Sequence, residues 1–303
     1  MDRKYLVTPC PACQTPFLKP WFTISNQYGN YPIVCCSGCR SGFILTRPTA
    51  EEIEAFYKTA NYEHYGKGSP QARFDFMMDQ EKSYPNSTLD AARISAACRR
   101  WSLGDCFLDI GAGHGFFTKA AIERGFRVTA LEPSPSSRDV FKLMNGFDPL
   151  PELLNEKFVA AHVGEFDVVL MSQVLEHVRD LDWTVSALHS LLADGGIAAI
   201  AVSHFRSFVS ILQGRNDMFI VPPEHLNFFT AKGLKQLFQR HGFSTLAFQT
   251  ISRVDGKRIA RKLRLGFLGG AFPYILKATL FLVDLAKMGL YLNVYFRKRE
   301  YVE

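Results

Sequence analysis

The chain of 303 residues is 47% hydrophobic and 21% charged, proportions typical of an ordinary soluble globular protein with a sizeable core. The amino terminus lacks the apolar stretch of a secretory signal, and no window reaches the roughly 18 apolar residues of a membrane-spanning helix, so we expect a cytoplasmic location with reduced cysteines. The net charge of +6 arises in residues 253–303, which hold eleven Lys or Arg against four Asp or Glu.

Five of the seven cysteines lie within the first 39 residues. They include two Cys-x-x-Cys pairs separated by 22 residues: Cys10 with Cys13, and Cys36 with Cys39. This spacing predicts a structural zinc site with four thiolate ligands in an amino-terminal module, residues 1–48. A metal would supply folding energy that so short a segment cannot obtain from its own core. A metal-free or redox arrangement is the alternative, and Cys35 is expected to be a neighbour of the site unless the register of the second pair shifts.

Residues 49–100 are predicted to form a helical linker between this module and the rest of the chain. Its first helix begins with Thr49 at the N-cap and Glu52 three residues later, which is the pattern of a capping box.

Residues 106–132 predict a strand, a glycine-rich turn, a helix and a second strand, in that order. Asp109 lies near the end of the first strand, and Glu132 ends the second. Three glycines form the turn: Gly111, Gly113 and Gly115. Such a turn lets a ligand lie against bare backbone, and an acidic residue at the end of the second strand can accept hydrogen bonds from both hydroxyls of a ribose. The segment therefore predicts a site for a nucleoside-containing cofactor.

The position of the third glycine decides between two classes of cofactor. A dinucleotide fingerprint requires glycine where this chain has Phe116. The pattern Gly-x-Gly-x-Gly with an acidic residue before it resembles motif I of the class I S-adenosylmethionine-dependent methyltransferases. This resemblance implies an α/β fold with a Rossmann-like, seven-stranded methyltransferase sheet and helical insertions. It also implies that S-adenosylmethionine is bound by Asp109, the three glycines and Glu132.

Later segments resemble the same family. Residues 165–178 resemble the fourth strand and the loop after it, where Gln173 is expected to face the cofactor pocket. Residues 188–203 resemble a helix, a turn and the fifth strand, and residues 222–230 resemble a segment that many small-molecule methyltransferases carry after that strand. A methyltransferase core is therefore predicted over residues 101–298.

The layout of the cysteines resembles the zinc-binding amino-terminal module of sugar C-methyltransferases and of small-molecule methyltransferases from glycan and natural-product gene clusters. In these families aromatic residues after the module often cover the cofactor. The resemblance gives this role to Tyr62 or Tyr65, with ordinary packing between module and core as the alternative.

Two histidine–carboxylate pairs follow the fourth and fifth strands. Methyl transfer often requires removal of a proton from the acceptor, and a neighbouring carboxylate can fix the tautomer of an imidazole. The pair Glu224 and His225 matches a Glu-His pair of the sugar C-methyltransferases, so His225 is the candidate general base. His177 is a second catalytic candidate. For both histidines, a purely architectural role is the alternative. The sugar C-methyltransferases usually have a tyrosine before the second pair, and that tyrosine is missing here.

Residues 253–288 are predicted to form a helical insertion before a last strand at residues 290–296. The first alternative is a substrate lid or a dimer contact. The second is an interfacial helix, flanked by basic residues, that makes peripheral contact with an anionic membrane.

Taken together, these features predict an S-adenosylmethionine-dependent methyltransferase that acts on a small molecule, such as a sugar or a lipid-linked glycan precursor. An RNA methyltransferase that grips nucleic acid through the zinc module is the alternative. Residues 1–48 hold only five basic residues and no basic–aromatic stripe, which counts against nucleic acid. A non-catalytic binding protein is a third possibility, and the intact glycine motif with Glu132 counts against it.

Overall fold

The computed structural model describes residues 5–49, 51–53, 56, 68–253 and 271–299. Its first half contains β1 (Tyr5–Leu6), β2 (Leu18–Asn26), β3 (Gly29–Cys36), β4 (Gly42–Ile44), β5 (Thr46–Arg47), α1 (Pro70–Ser83), α2 (Ser87–Trp101), β6 (Cys106–Ile110), α3 (Phe116–Ile122), β7 (Arg127–Leu131), α4 (Pro135–Asn145) and α5 (Glu156–Ala161). Its second half contains β8 (Phe166–Ser172), α6 (Leu181–Leu191), β9 (Leu192–Ser203), α7 (Phe208–Gln213), β10 (Asn227–Phe228), α8 (Ala231–Arg240), β11 (Phe243–Ile251), α9 (Ala271–Leu285) and β12 (Tyr291–Lys298).

The main sheet is a mixed sheet of six strands in the order β11-β12-β9-β8-β6-β7. Strands β7, β6, β8 and β9 are parallel, and helices connect them as in a Rossmann-like fold. The central strands β8 and β9 are almost entirely buried, because helices cover both faces of a parallel sheet. The carboxyl ends of the parallel strands therefore meet at one edge, where open α/β sheets bind their ligands.

The prediction of seven strands is wrong for the described part of the chain, where the main sheet has six. In place of a strand beyond β7, a single parallel bridge joins Leu131 to Leu150. The Leu150 amide donates to the Ala130 carbonyl over 2.9 Å, but prolines stand on either side of it, at positions 149 and 151. The pairing ends there because the next amide on the same side of the chain, that of Glu152, donates back to the Leu150 carbonyl over 2.9 Å instead of to β7.

The last strand is inserted into the sheet rather than added at its edge. Strand β12 runs antiparallel between β9 and β11 and pairs with both along its length. This strand, which corresponds to the predicted last strand at residues 290–296, separates β11 from β9.

The amino-terminal module forms a second, smaller sheet that includes a strand of the core. Strands β2, β3 and β4 are antiparallel neighbours, and β10 extends this sheet through the pairs Asn227 with Phe43 and Phe228 with Gly42. Because β10 follows the loop after β9, the module and the carboxyl edge of the main sheet are joined by backbone hydrogen bonds.

The linker begins with the predicted capping box. The Thr49 amide donates to the Glu52 carboxylate over 2.9 Å, and the Glu52 amide donates to the Thr49 hydroxyl over 3.1 Å. Tyr62 and Tyr65, predicted to cover the cofactor, lie outside the described residues.

Helix α9 of the predicted insertion exposes much of its apolar surface. Its strongly exposed residues are Tyr274, Ile275, Phe281, Leu282 and Leu285. Residues 254–270, the basic part of the insertion, lie outside the described residues. No helix within the described ranges is both long and apolar enough to span a bilayer. The lid, dimer-contact and membrane-surface alternatives for this insertion stay predictions.

Candidate functional site

The three glycines of the turn between β6 and α3 meet different surroundings. All three have positive φ angles, of 70° at Gly111, 55° at Gly113 and 86° at Gly115. A Cβ atom on Gly111 would lie 2.6 Å from Val174, and one on Gly115 would collide with the Asn145 amide and lie 2.7 Å from Phe141. A Cβ atom on Gly113 would meet no atom of the described residues within 4 Å. Gly111 and Gly115 are therefore packing positions, whereas Gly113 borders the open space in which a ligand can approach the backbone.

Glu132 fastens this turn to the end of β7. Its carboxylate is 6% exposed, and Oε2 accepts a hydrogen bond from the Gly113 amide over 2.7 Å. Oε1 accepts a second bond from the Ser134 amide over 2.8 Å. Burial raises the pKa of Glu132, and these two amide donors oppose that rise. Each carboxylate oxygen can accept a further hydrogen bond, so Glu132 can both hold the turn and receive two hydroxyl groups.

Asp109 lies beneath the turn rather than at its open side. It is 1% exposed, and the Thr118 hydroxyl donates to its Oδ2 over 2.7 Å. Burial raises the pKa of Asp109 to about 7. The structure thus places this carboxyl group between β6 and α3, where it supports the turn from below.

Gln173 is the first residue after β8 and has a positive φ of 55°. Its backbone amide and its side-chain Nε2 both donate to the Ala201 carbonyl near the end of β9, over 2.8 and 3.3 Å. The residue is exposed at the carboxyl edge of the sheet.

The structure brings His177 and His225 together, although 48 positions separate them in the sequence. Their ring centroids are 4.7 Å apart in an edge-to-face arrangement. His177 Nδ1 lies 2.9 Å from the Glu224 carbonyl oxygen, and His225 Nδ1 lies 2.7 Å from the Phe219 carbonyl oxygen. Because a carbonyl only accepts, each Nδ1 carries a hydrogen, and the neutral form of His225 has its lone pair on Nε2.

The tautomers of these histidines are therefore set by backbone carbonyls, which the sequence did not indicate. Glu224, the neighbour of His225 in the sequence, contributes its carbonyl to His177, while Nδ1 of His225 faces the Phe219 carbonyl. The Glu224 carboxylate does lie near both rings, with one of its oxygens within 4.8 Å of a nitrogen of each histidine. Burial, followed by a smaller effect of His225, lowers the pKa of His177 to about 3, which keeps that ring neutral.

Glu176 is a site residue whose position only the structure reveals. It is fully buried between the two loops, where its Oε1 accepts from the Ser203 amide over 3.0 Å. Burial raises its pKa, while the neighbouring His225 opposes this rise. Its backbone carbonyl accepts from the Leu226 amide over 2.8 Å, so the loops that carry the two histidines are hydrogen-bonded directly.

The four predicted zinc ligands converge in the amino-terminal module. Cys10 Sγ lies 3.7 Å from Cys39 Sγ, and Cys13 Sγ lies 3.5 Å from Cys36 Sγ, with all four sulfurs within 4.8 Å of one another. A tetrahedral zinc ion with Zn–S bonds of about 2.3 Å sets its sulfurs roughly 3.8 Å apart, so this arrangement fits the ion. Cys35 is not a member of the cluster, and burial raises its pKa to about 11.

Comparisons with known proteins agree with this geometry. A family model described as a methyltransferase domain matches residues 62–247. A ubiquinone biosynthesis O-methyltransferase from Psychrobacter cryohalolentis is 32% identical over 160 residues, which cover 50% of this chain and 62% of that protein. Its counterpart from Psychrobacter arcticus is 33% identical over 104 residues, which cover 32% of this chain and 40% of that protein. The chain thus spans between two fifths and two thirds of the length of these relatives.

A solved structure shares the fold. The 1,6-didemethyltoxoflavin-N1-methyltransferase from Burkholderia thailandensis, with bound 1,6-didemethyltoxoflavin and S-adenosylhomocysteine, superimposes with a TM-score of 0.50. The match covers 88% of this chain and 98% of that chain at 18% sequence identity. An identity this low establishes common architecture alone.

Proposed function

The chain belongs to the methyltransferase domain family, and we propose that it transfers the methyl group of S-adenosylmethionine to a hydroxyl group of a small molecule. The observation that carries this proposal is the meeting of two features at the carboxyl edge of the sheet. One is the open turn at Gly113, held by Glu132. The other is the pair His177 and His225; the loop that carries His177 includes Val174, which packs against Gly111 of the turn.

The cofactor fits the residues that are present. Gly113 offers backbone with no described residue within 4 Å of the place of a Cβ atom, and Glu132 keeps acceptor capacity for two ribose hydroxyls. Gln173, exposed at the same edge, is proposed to line the same pocket. When it is bound there, S-adenosylmethionine supplies an electrophilic methyl group on a sulfonium that is already a good leaving group.

His225 is proposed as the general base. Its Nδ1 hydrogen is held by the Phe219 carbonyl, which leaves Nε2 as the atom that accepts the proton of the acceptor hydroxyl. His177, kept neutral by burial, is proposed to orient the acceptor beside it. Glu224 is proposed to stabilise the imidazolium that forms on His225, since one of its carboxylate oxygens lies within 4.8 Å of that ring.

We propose a phenol or quinol as the acceptor. The relatives described above are O-methyltransferases named for ubiquinone biosynthesis, and they give no support to the predicted sugar or lipid-linked glycan acceptor. The RNA alternative is not favoured. Arg47, one of the five basic residues of the amino-terminal module, is wholly buried and unavailable to nucleic acid.

A structural zinc ion is proposed for the cluster of Cys10, Cys13, Cys36 and Cys39. The sulfur separations near those of a tetrahedral site support it. Four thiolates leave no open position on the ion, so its contribution is to the stability of the module and not to the chemistry.

The proposal is tested first by calorimetric titration of zinc-replete protein with S-adenosylmethionine and S-adenosylhomocysteine. Saturable binding is expected, followed by methylation of some member of a panel of catechols and hydroxybenzoates, with nucleotide sugars and RNA as comparison acceptors. The variant His225→Asn should lower turnover by about 100-fold or more, because a positioned general base contributes 10²–10⁴-fold. His162→Asn, on a half-exposed histidine paired with Glu165, is the matched control. Folded protein that binds neither cofactor would overturn the proposed function.

A further inference from the structure

Arg47 belongs to the amino-terminal module but lies at the base of the loop that carries His225. Its side chain is wholly buried. Its Nη1 donates to the Leu226 carbonyl over 2.7 Å, and its Nη2 donates to Asn227 Oδ1. Burying a guanidinium is costly unless its N–H donors are hydrogen-bonded. The hydrogen bonds of Arg47 therefore fix the position of its side chain.

The contact with Arg47 fixes the orientation of the Asn227 amide. Because the guanidinium occupies Oδ1, the amide nitrogen must point the other way, and Nδ2 donates to the Val178 carbonyl over 2.8 Å. A second, longer bond of 3.3 Å reaches the Leu175 carbonyl. These two carbonyls flank His177 in the sequence, so a buried side chain links the His225 loop to the His177 loop.

The same loop is bound by the module along its backbone. The Ile44 amide donates to the Leu226 carbonyl over 3.1 Å, next to the pairing of β4 with β10. A little further on, the Thr230 hydroxyl donates to the carbonyl of Cys39 over 2.7 Å. The residues that follow His225 are thus attached to the loop of His177 on one side and to the module, at Ile44 and Cys39, on the other.

From these contacts we infer that Arg47 and Asn227 are positioning residues for the reaction, and that the amino-terminal module forms part of the acceptor site by holding His225 against His177. This inference rests on the proposed function. The module then has a role in the acceptor site in addition to its contribution to folding stability, because the link from Arg47 through Asn227 ends at the carbonyls around His177.

Two variants of the zinc-loaded, full-length protein test the inference. Arg47→Met removes the guanidinium but keeps an apolar stem of similar length. Asn227→Asp keeps an acceptor for Arg47 but replaces the amide hydrogens with an oxygen that repels the carbonyls of Leu175 and Val178. The second variant retains a partner for the buried guanidinium, so it decides the matter if the first does not fold. Arg297→Met is the matched control, since Arg297 also donates to two carbonyls, those of Gly195 and Trp101, at the opposite end of the sheet.

Three quantities are measured for each variant. Calorimetry gives the affinity for S-adenosylhomocysteine, and long-range ¹H–¹⁵N spectra of histidine-labelled protein give the tautomers of the eight histidines, assigned with His177→Asn and His225→Asn. The third quantity is methyl transfer to the best acceptor of the panel. We expect Arg47→Met and Asn227→Asp to keep the affinity within about threefold while the Nδ1–H signature of His177, which depends on the contact between the two loops, is lost. Turnover should fall by about 100-fold, since a misplacement of about 1 Å can cost that much. The control should change none of the three.

An unchanged histidine signature in a folded variant overturns the inference, whatever happens to turnover. A loss of cofactor affinity together with the signature also overturns it, because a general structural role is then sufficient. The histidine spectra need no methyl acceptor. Suppose that the wild-type protein shows no methyl transfer but the variants still lose the histidine signature. That result would refute the proposed function and leave intact the role of Arg47 and Asn227 in positioning the histidines.

Discussion

Removal of the Glu132 carboxylate should weaken cofactor binding strongly. In Glu132→Ala the two proposed bonds to the ribose hydroxyls are lost, and hydrogen bonds to a charged group contribute about 1.5–3 kcal/mol each. The Gly113 and Ser134 amides, which now donate to this carboxylate over 2.7 and 2.8 Å, lose their acceptor as well. We therefore expect a loss of at least about 3 kcal/mol of binding free energy, which is roughly a 100-fold higher Kd for S-adenosylhomocysteine.

Calorimetry on protein shown to be folded by circular dichroism measures this effect. Glu132→Gln is expected to fall between wild type and alanine, because its amide keeps one acceptor oxygen but sets an NH₂ group against a backbone N–H. Asp148→Ala is the control, since Asp148 forms an exposed ion pair with Lys142 at 2.7 Å, and such pairs contribute little. If Glu132→Ala binds S-adenosylhomocysteine within twofold of wild type, the assignment of Glu132 to the ribose is wrong and its bonds to the turn are its whole role.

Other expectations concern the carboxyl group beneath the turn, its glycines and the cysteine cluster. Because burial raises the pKa of Asp109 from 3.8 to about 7, the folded protein holds a proton that the unfolded chain releases between these values, so stability should fall as pH rises through this window. In Asp109→Asn the decline measured by urea unfolding should be shallower by up to about 1.4 kcal/mol per pH unit, and equal slopes would contradict the raised pKa. Gly113→Ala should lower the free energy of unfolding by only about 1–2 kcal/mol, the cost of a positive φ, yet abolish measurable cofactor binding. Gly115→Ala drives a methyl group into Phe141 and should therefore show the larger loss of stability. A larger loss of stability in Gly113→Ala than in Gly115→Ala would refute this division of roles. Purified protein should contain one zinc ion per chain by elemental analysis. Cys13→Ser should lower both the zinc content and the Tm, whereas Cys35→Ser should leave both unchanged. A full complement of zinc in Cys13→Ser would show that Cys13 is not one of the zinc ligands.

The sequence by itself determined the parts of this protein that depend on short spacings. Strand β6, the glycine turn and helix α3 lie where the pattern of residues 106–132 predicts them, because turn geometry and side-chain periodicity act over a few residues. The two Cys-x-x-Cys pairs predicted a cluster for a similar reason, since each knuckle places two sulfurs on one side of the chain.

Only the tertiary structure decided which distant segments meet. The insertion of β12 between β9 and β11, and the addition of β10 to the sheet of the module, depend on pairings that no local pattern encodes. The same holds for the site, where Arg47 contacts Asn227 across 180 positions of sequence and backbone carbonyls set the tautomers of His177 and His225. Backbone carbonyls are present at every residue, so the sequence does not indicate which carbonyl a given imidazole will contact. The packing of the whole chain determines that contact.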